Sequence, residues 1–215
     1  MINDKPRAWL ITPFAPAKPC MAYPTNPETD IIIAVDGGLE RCNEFGLRPQ
    51  VLIGDLDSIE SYGDVNIPHD CVIITYPVNK DETDTELAIQ YCIEQGYSDI
   101  IIINDLGGRF DHVLGLLQNL QFAKLAKLHA KIVTDKQMVF FLEPNTELNY
   151  QPKTKLSLVP WSDKAVFKKS SGLQWKLDNM TLLHHKSRGI SNEITSSPAT
   201  ITLKSGDVIA MVTIL

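Results

Sequence analysis

No stretch of this sequence approaches the ~20 consecutive apolar residues of a membrane-spanning helix, and its longest helical candidate carries lysines. A helical membrane protein is therefore not expected. Residues 1–14 lack a basic start followed by a long apolar stretch and a small-residue cleavage site, so no signal peptide is expected there. Cysteine is scarce: Cys20, Cys42, Cys71 and Cys92 are the only four, and none is spaced as a close pair. That argues against a disulfide framework or a zinc site and fits reduced, mostly buried thiols of a cytoplasmic protein. Basic charge is short too. With 20 Lys and Arg against 26 Asp and Glu, the net charge of -6 makes a broad nucleic-acid footprint unexpected. Any anionic ligand then needs local Lys, Arg or metal help. Neither G-x-x-x-x-G-K-[ST] nor G-x-G-x-x-G occurs, so neither a Walker-type site nor a dinucleotide fold is indicated.

What is present is a chain of 215 residues, 44% hydrophobic and 21% charged, long enough for one large or two small cored domains. Up to about Leu142, strand-like runs (Trp9–Thr12, Ile31–Val35, Val51–Ile53, Val72–Thr75, Ile100–Ile103, Lys131–Thr134, Met138–Leu142) alternate with helical patterns. Ile100–Ile103 has no polar face, as expected of a strand covered on both sides. Helices are expected from Thr83 to about Gly96 and from Val113 to about Leu128. Alternation of this kind predicts an α/β fold, a mostly parallel sheet with helices on both faces. From about Lys155 the apolar runs are short (Leu156–Val159, Ala165–Phe167, Thr200–Leu203, Val208–Ile214) and separated by Pro, Gly, Ser, Asn and Asp. This predicts a smaller antiparallel β-sandwich-like domain, dividing the chain into 1–145 and 146–215 with the boundary near Glu143–Lys153.

Three acidic clusters sit where apolar runs give way to turn or helix-start chemistry, the place where ligands of parallel sheets bind. Asp55 and Asp57 are two residues apart in a segment leaving a strand, so extended geometry points both carboxylates one way. A divalent cation between them would remove their repulsion; a solvated Asp-rich turn is the other reading. Asp84 opens a helix with Thr83 and Glu86 as a capping box, and its place at the positive helix end is explanation enough by itself. Lys80 and Asp81 just before it read equally as surface residues. Gly107-Gly108 would let backbone N–H groups approach a ligand, and Arg109 adds a planar fork for phosphate. Asp111 suits that site or an N-cap, and His112 suits packing or ligand contact. Asp36-Gly37-Gly38 ends a strand and starts a helix, where backbone donors suit an anion.

Taken in order, V-D-G-G (35–38), I-G-D-L-D-S-I (53–59), N-K-D-E-T-D-T-E-L-A (79–88), G-G-R-F-D-H (107–112), the segment Ser171–Leu177 and Ser191-Asn192-Glu193 resemble the motif series of thiamine pyrophosphokinases. Two departures stand out: Thr12-Pro13-Phe14 replaces the family's usual Asn-Gly pair, and Leu116 stands where many members have Asn. The resemblance implies transfer of pyrophosphate from ATP to the hydroxyl of thiamine, giving thiamine diphosphate and AMP, by a homodimer with shared sites. It implies Mg²⁺ as cofactor, held by Asp55, Asp57 and Asp84. Asp81 and Asp111 join these as catalytic carboxylates, and which one accepts the hydroxyl proton is open. It implies that Asp36, Gly37, Gly38, Lys80, Asp81, Arg109 and His112 surround ATP. Trp175, Ser191 and Asn192 are implied to bind thiamine, in a pocket between the first domain of one subunit and the second domain of the other. The alternatives are a pyrophosphokinase for another heteroaromatic alcohol such as a pterin, and a non-catalytic Mg–nucleotide or thiamine-binding module. No nucleic-acid or membrane partner is expected.

Overall fold

The computed structural model describes residues 6–21, 29–55 and 66–214. The chain divides into two compact units, Met1–Asp135 and Lys136–Leu215. The first contains β1 (Arg7–Ile11), β2 (Asp30–Val35), α1 (Gly38–Glu44), β3 (Val51–Gly54), β4 (Val72–Thr75), α2 (Asp84–Glu94), β5 (Asp99–Ile103), α3 (Phe110–Leu125) and β6 (His129–Val133). These strands form a parallel array in the order β6-β5-β1-β2-β3-β4. Ile100 to Ile103 are all buried, which explains the unbroken apolar run. Each such side chain is worth about 1.5–3 kcal/mol of burial. The β2–α1–β3 connection steps one way along the sheet and β4–α2–β5 returns the other way. Right-handed crossovers therefore place α1 on one face and α2 on the other, where α2 packs against α3. The expected parallel sheet with helices on both faces is found.

The direction of winding along the sheet reverses at β1, which lies between β2 and β5. The carboxyl ends of β1 and β5 are thus the topological switch point, where a crevice opens between oppositely wound halves. Two helix boundaries matter for that crevice. Thr83 caps α2, its hydroxyl accepting the Glu86 N–H at 3.2 Å. Helix α3 starts at Phe110 instead of Val113, with Arg109 at the cap position, so Asp111 lies inside the first turn and is not the N-cap. The apolar period starts later because Phe110, Asp111 and His112 are all exposed.

The second unit contains β7 (Gln137–Phe141), β8 (Asn145–Leu148), β9 (Lys155–Pro160), β10 (Lys164–Ser171), β11 (Thr181–Leu183), β12 (Asn192–Glu193), β13 (Ala199–Ser205) and β14 (Val208–Thr213). All pairings are antiparallel, in the orders β12-β9-β14-β7 and β11-β10-β13-β8. One core takes Leu156 and Leu158 from β9 and Val212 from β14, with Phe167 from β10 and Ile201 from β13, so both sheets bury a face in it. Strand β9 alternates buried and partly exposed positions, as one face of a sandwich requires. The short strands β8, β11 and β12 were not expected from the sequence.

Candidate active site

At the switch point the strand ends are tied together by polar side chains. Buried Thr12 follows β1, and its hydroxyl donates to the Ile103 carbonyl at 2.8 Å. Asn104 follows β5 and donates to the same hydroxyl at 2.9 Å, while its Oδ1 accepts the Leu106 N–H at 2.7 Å. Next, the Phe14 carbonyl accepts the Asp105 N–H at 2.8 Å, and Arg41 donates to the Pro13 carbonyl at 3.0 Å. The Phe14 ring lies over Gly108, where an added Cβ would come within 2.6 Å of it and φ is +80°. Only glycine suits that position. Thr12, Pro13, Phe14 and Asn104 border a cleft of about 450 Å³ lined also by Asp36, Asp84, Asp111, His112, Leu116 and Asn119. That volume falls within the ordinary range for small-molecule sites.

Acidic groups gather on the same side. Asp36 follows β2 in the left-handed region, φ +48°, uncommon for a residue with a Cβ and a recurring feature of functional sites. Its N–H donates to the Ile53 carbonyl at 2.7 Å. Gly54 admits this approach, since a Cβ there would stand 3.0 Å from the Asp36 Cα. Asp55 continues from β3, and Lys80 Nζ stands 3.7 Å from its Oδ2 and 3.1 Å from Asp84 Oδ1. Burial pulls the Lys80 ammonium down, but Asp84 and then Asp55 outweigh this and hold it above its ordinary value. Burial pushes the Asp84 carboxyl up; Lys80 opposes the rise, and the Asp36 and Asp55 carboxylates add to it.

Among the described residues no three His, Cys, Asp or Glu form a ready metal cage. Mg²⁺, however, is commonly held by one or two carboxylates plus substrate phosphates. Asp55 and Asp84 converge on one cation already, and Asp84 Oδ1 is buried without a well-directed hydrogen bond despite the nearby ammonium. The hard oxygen donors and that unsatisfied atom fit Mg²⁺. Asp57 lies outside the described residues, and Asp81 is exposed in the turn before α2.

The glycines after Asp36 differ from one another. Gly37 is the cap of α1 and has room for a Cβ, 3.5 Å from Pro13. Gly38 has none: a Cβ would sit 1.9 Å from the Ile11 carbonyl oxygen. Its small size lets α1 start against the end of β1. At the opposite rim, Arg109 closes its fork on Asp111, Nε to Oδ1 at 3.1 Å and Nη2 to Oδ2 at 2.5 Å. Asp111 Oδ1 also accepts the His112 N–H at 3.0 Å. The Arg109 guanidinium, above all, holds the Asp111 carboxyl below its usual range.

In the second unit Trp175 is 59% exposed, while Asn192 is 4% exposed. The Asn192 Oδ1 accepts the Trp175 N–H at 3.1 Å, and its Nδ2 donates to the Trp175 carbonyl at 2.8 Å. Ser191 is exposed, at φ +61°, and its N–H donates to the Ser157 hydroxyl at 3.0 Å. Thr12 and Phe14 stood out in the sequence only as a departure from the motif series, and Asn104 and Asn119 were not singled out. Their one available signal was a polar or aromatic side chain directly after a buried strand, or inside a helix beside an acidic motif.

Residues 25–133 match the family described as thiamin pyrophosphokinase, catalytic domain, and residues 145–208 the thiamin pyrophosphokinase vitamin B1 binding domain. The chain is 30% identical over 184 residues to a thiamine pyrophosphokinase of Bacillus subtilis (strain 168), covering 83% of this chain and 85% of that one. It is 26% identical over 178 residues to thiamin pyrophosphokinase 1 of Caenorhabditis elegans, covering 77% and 72%. A crystal structure of thiamine pyrophosphokinase from Bacillus subtilis has the same fold, with a TM-score of 0.82 at 23% identity over 98% of this chain and 99% of that one. One from Geobacillus thermodenitrificans gives 0.77 at 25% identity over 96% and 97%.

Proposed function

The chain belongs to the thiamine pyrophosphokinase family, and from that premise we propose how its residues serve the family's reaction. The protein is an ATP-dependent transferase that moves pyrophosphate from ATP to the hydroxyl of thiamine, giving thiamine diphosphate and AMP. Both matched family descriptions name thiamine or vitamin B1, which disfavours another alcohol or a non-catalytic module. The observation that carries the assignment of roles is the meeting of Asp36, Asp55, Lys80 and Asp84 beside the switch-point cleft.

In this reading Asp55 and Asp84 hold Mg²⁺, with Asp57 and Asp81 completing the acidic set. Bound there, the ion supplies neutralisation of phosphate charge. Lys80 keeps the two carboxylates compensated and adds positive charge toward the nucleotide. Arg109, its Nε–Nη2 edge closed on Asp111, keeps its remaining guanidinium donors at the rim, and His112 lies beside it. Asp36, Gly37 and Gly38 border the nucleotide, with Gly38 acting by seating α1. The chemistry needs alignment and a neutral environment for the transferring group more than a covalent partner. A carboxylate of this cluster close to the substrate hydroxyl takes its proton. Incubating the protein with thiamine and Mg–ATP should release AMP; ADP as sole product, or no turnover, would sink the assignment.

Trp175, with Ser191 beside its segment, is placed against thiamine, whose flat pyrimidine and cationic thiazolium suit an indole face. A cation–π contact is worth ~0.5–2 kcal/mol, so Trp175→Ala should weaken thiamine binding about 2- to 30-fold, with ATP binding spared. We further place the active form as a homodimer, Trp175 of one copy serving the acidic cluster of the other. Mixing Asp55→Asn chains with Trp175→Ala chains should then create sites of parental thiamine affinity, read at thiamine well below saturation, and a single weakened affinity after mixing would refute the shared site. No helix among the described residues is long and apolar enough to cross a membrane. The four free cysteines support a cytoplasmic location.

A further inference from the structure

We infer that Asn192 is a positioning residue for Trp175, fixing the indole as a preformed wall for the flat cationic alcohol instead of binding that alcohol itself. This inference rests on the placement of Trp175 against thiamine given above. A primary amide that is 4% exposed is costly to bury unless its donor and acceptor are both used. Here both are used, and both on one residue: the Trp175 N–H and the Trp175 carbonyl. The Asn192 side chain thus acts toward Trp175 as a strand partner would, although Trp175 belongs to no strand.

Its neighbours anchor the clamp. The Gln174 N–H donates to the Glu193 carbonyl at 2.8 Å, Leu173 bridges Ile194, and the Thr195 N–H donates to the Gly172 carbonyl at 2.8 Å. On the other side Asn192 and Glu193 pair with Leu156 and Lys155 of β9. The Asn192 Oδ1 also accepts the Glu193 N–H at 2.8 Å, which fixes its own rotamer. The backbone beneath Trp175 is therefore ordered from both sides while the ring stays open to solvent. An aromatic whose backbone is ordered before binding loses less freedom when a ligand stacks on it. The Asn192 Oδ1 is already taken by two N–H groups, leaving it poorly suited to a substrate donor.

The test is a double-mutant cycle read by calorimetric thiamine affinity and by KM. Asn192→Ala should weaken thiamine binding by about 2- to 12-fold, the cost of ordering one side chain and its loop. The loss should fall on the KM for thiamine more than on kcat, with apparent ATP affinity unmoved. Trp175→Ala and the double variant should bind thiamine equally, since a group acting through the indole has nothing left to hold. Additive losses would make Asn192 a direct ligand and overturn the inference, as would wild-type affinity in Asn192→Ala. If the alanine variant does not fold, Asn192→Asp keeps the acceptor but sets a carboxylate against the Trp175 carbonyl. It should show the same thiamine-specific loss, and wild-type KM there would also overturn the inference. Unchanged affinity in Trp175→Ala alone would instead remove thiamine from Trp175, a failure of the proposed site and not of the clamp.

Discussion

Asp84→Asn is expected to cut AMP release from thiamine and Mg–ATP by on the order of 10²–10³-fold at saturating Mg²⁺, the usual cost of removing a preorganised charge from a transfer site. The fold should survive. Burial raises the Asp84 carboxyl, so the folded chain takes up that proton more readily than the unfolded chain. Stability from this group therefore falls as pH rises from the ordinary Asp value, about 3.9, through the elevated folded one. At neutral pH and without metal, the ionised carboxylate works against the fold. Asparagine removes that opposition, and Lys80 keeps Asp55 as partner. The metal-free variant should therefore melt no lower than the parent at pH 7, with any advantage gone in acid. Added Mg²⁺ should raise the melting temperature of the parent and not of the variant. Parental turnover in Asp84→Asn would sink the metal assignment.

Gly38→Ala should cost the fold far more stability than a single methyl group ordinarily does. The new Cβ would meet two backbone atoms, the Ile11 oxygen at 1.9 Å and the Ile11 carbon at 2.7 Å. Neither can swing aside as a side-chain tip would, so α1 must lift from the end of β1. Overpacking of this kind costs about 2–3 kcal/mol, which for a chain of this size lowers Tm by roughly 4–12 °C. Gly37→Ala is the matched control, because its Cβ would meet Pro13 at an ordinary 3.5 Å. Its melting temperature should stay within a degree or two of the parent, a change of about 0.5 kcal/mol or less. Identical melting curves for the two variants would refute the steric account.

The inner strands of the first unit were legible because burial on both faces demands continuous apolar runs: Ile100–Ile103, all buried, falls inside β5. Val72–Thr75 coincides with β4 by its β-branched composition alone, since that edge strand is largely exposed. Antiparallel pairing in the second unit was legible in Val208–Ile214, which covers β14, but not in β8 or β12. Asn145–Leu148 and Asn192–Glu193 carry polar sequences whose strand character comes only from their partners. Tertiary context decides such segments. The same limit applies to the site. The sequence could align Asp36, Asp55, Lys80 and Asp84 by motif, yet the Lys80 ammonium between two carboxylates exists only once β3 and the start of α2 are adjacent. Arg109 read as a free fork for phosphate; its engagement with Asp111 depends on α3 starting three residues before its apolar period. Gly38 read as a ligand approach, and only the position of Ile11 reveals that it faces the strand.

The central place of β1 also bears on how the chain folds. β1 precedes every other strand, but one of its two ladders must wait for β5, and the Thr12 hydroxyl bond to Ile103 spans 91 residues of sequence. Closing that span belongs to the slow regime of long-range pairing. Until β5 arrives, a sheet nucleus of β1 to β4 would present Ala8, Trp9, Leu10 and Ile11 along an open hydrogen-bonding edge. Unprotected apolar edges recruit other chains. Yield on refolding should therefore fall with protein concentration, and the arrival of Asp99–Ile103 is the step that shields the nucleus from its neighbours.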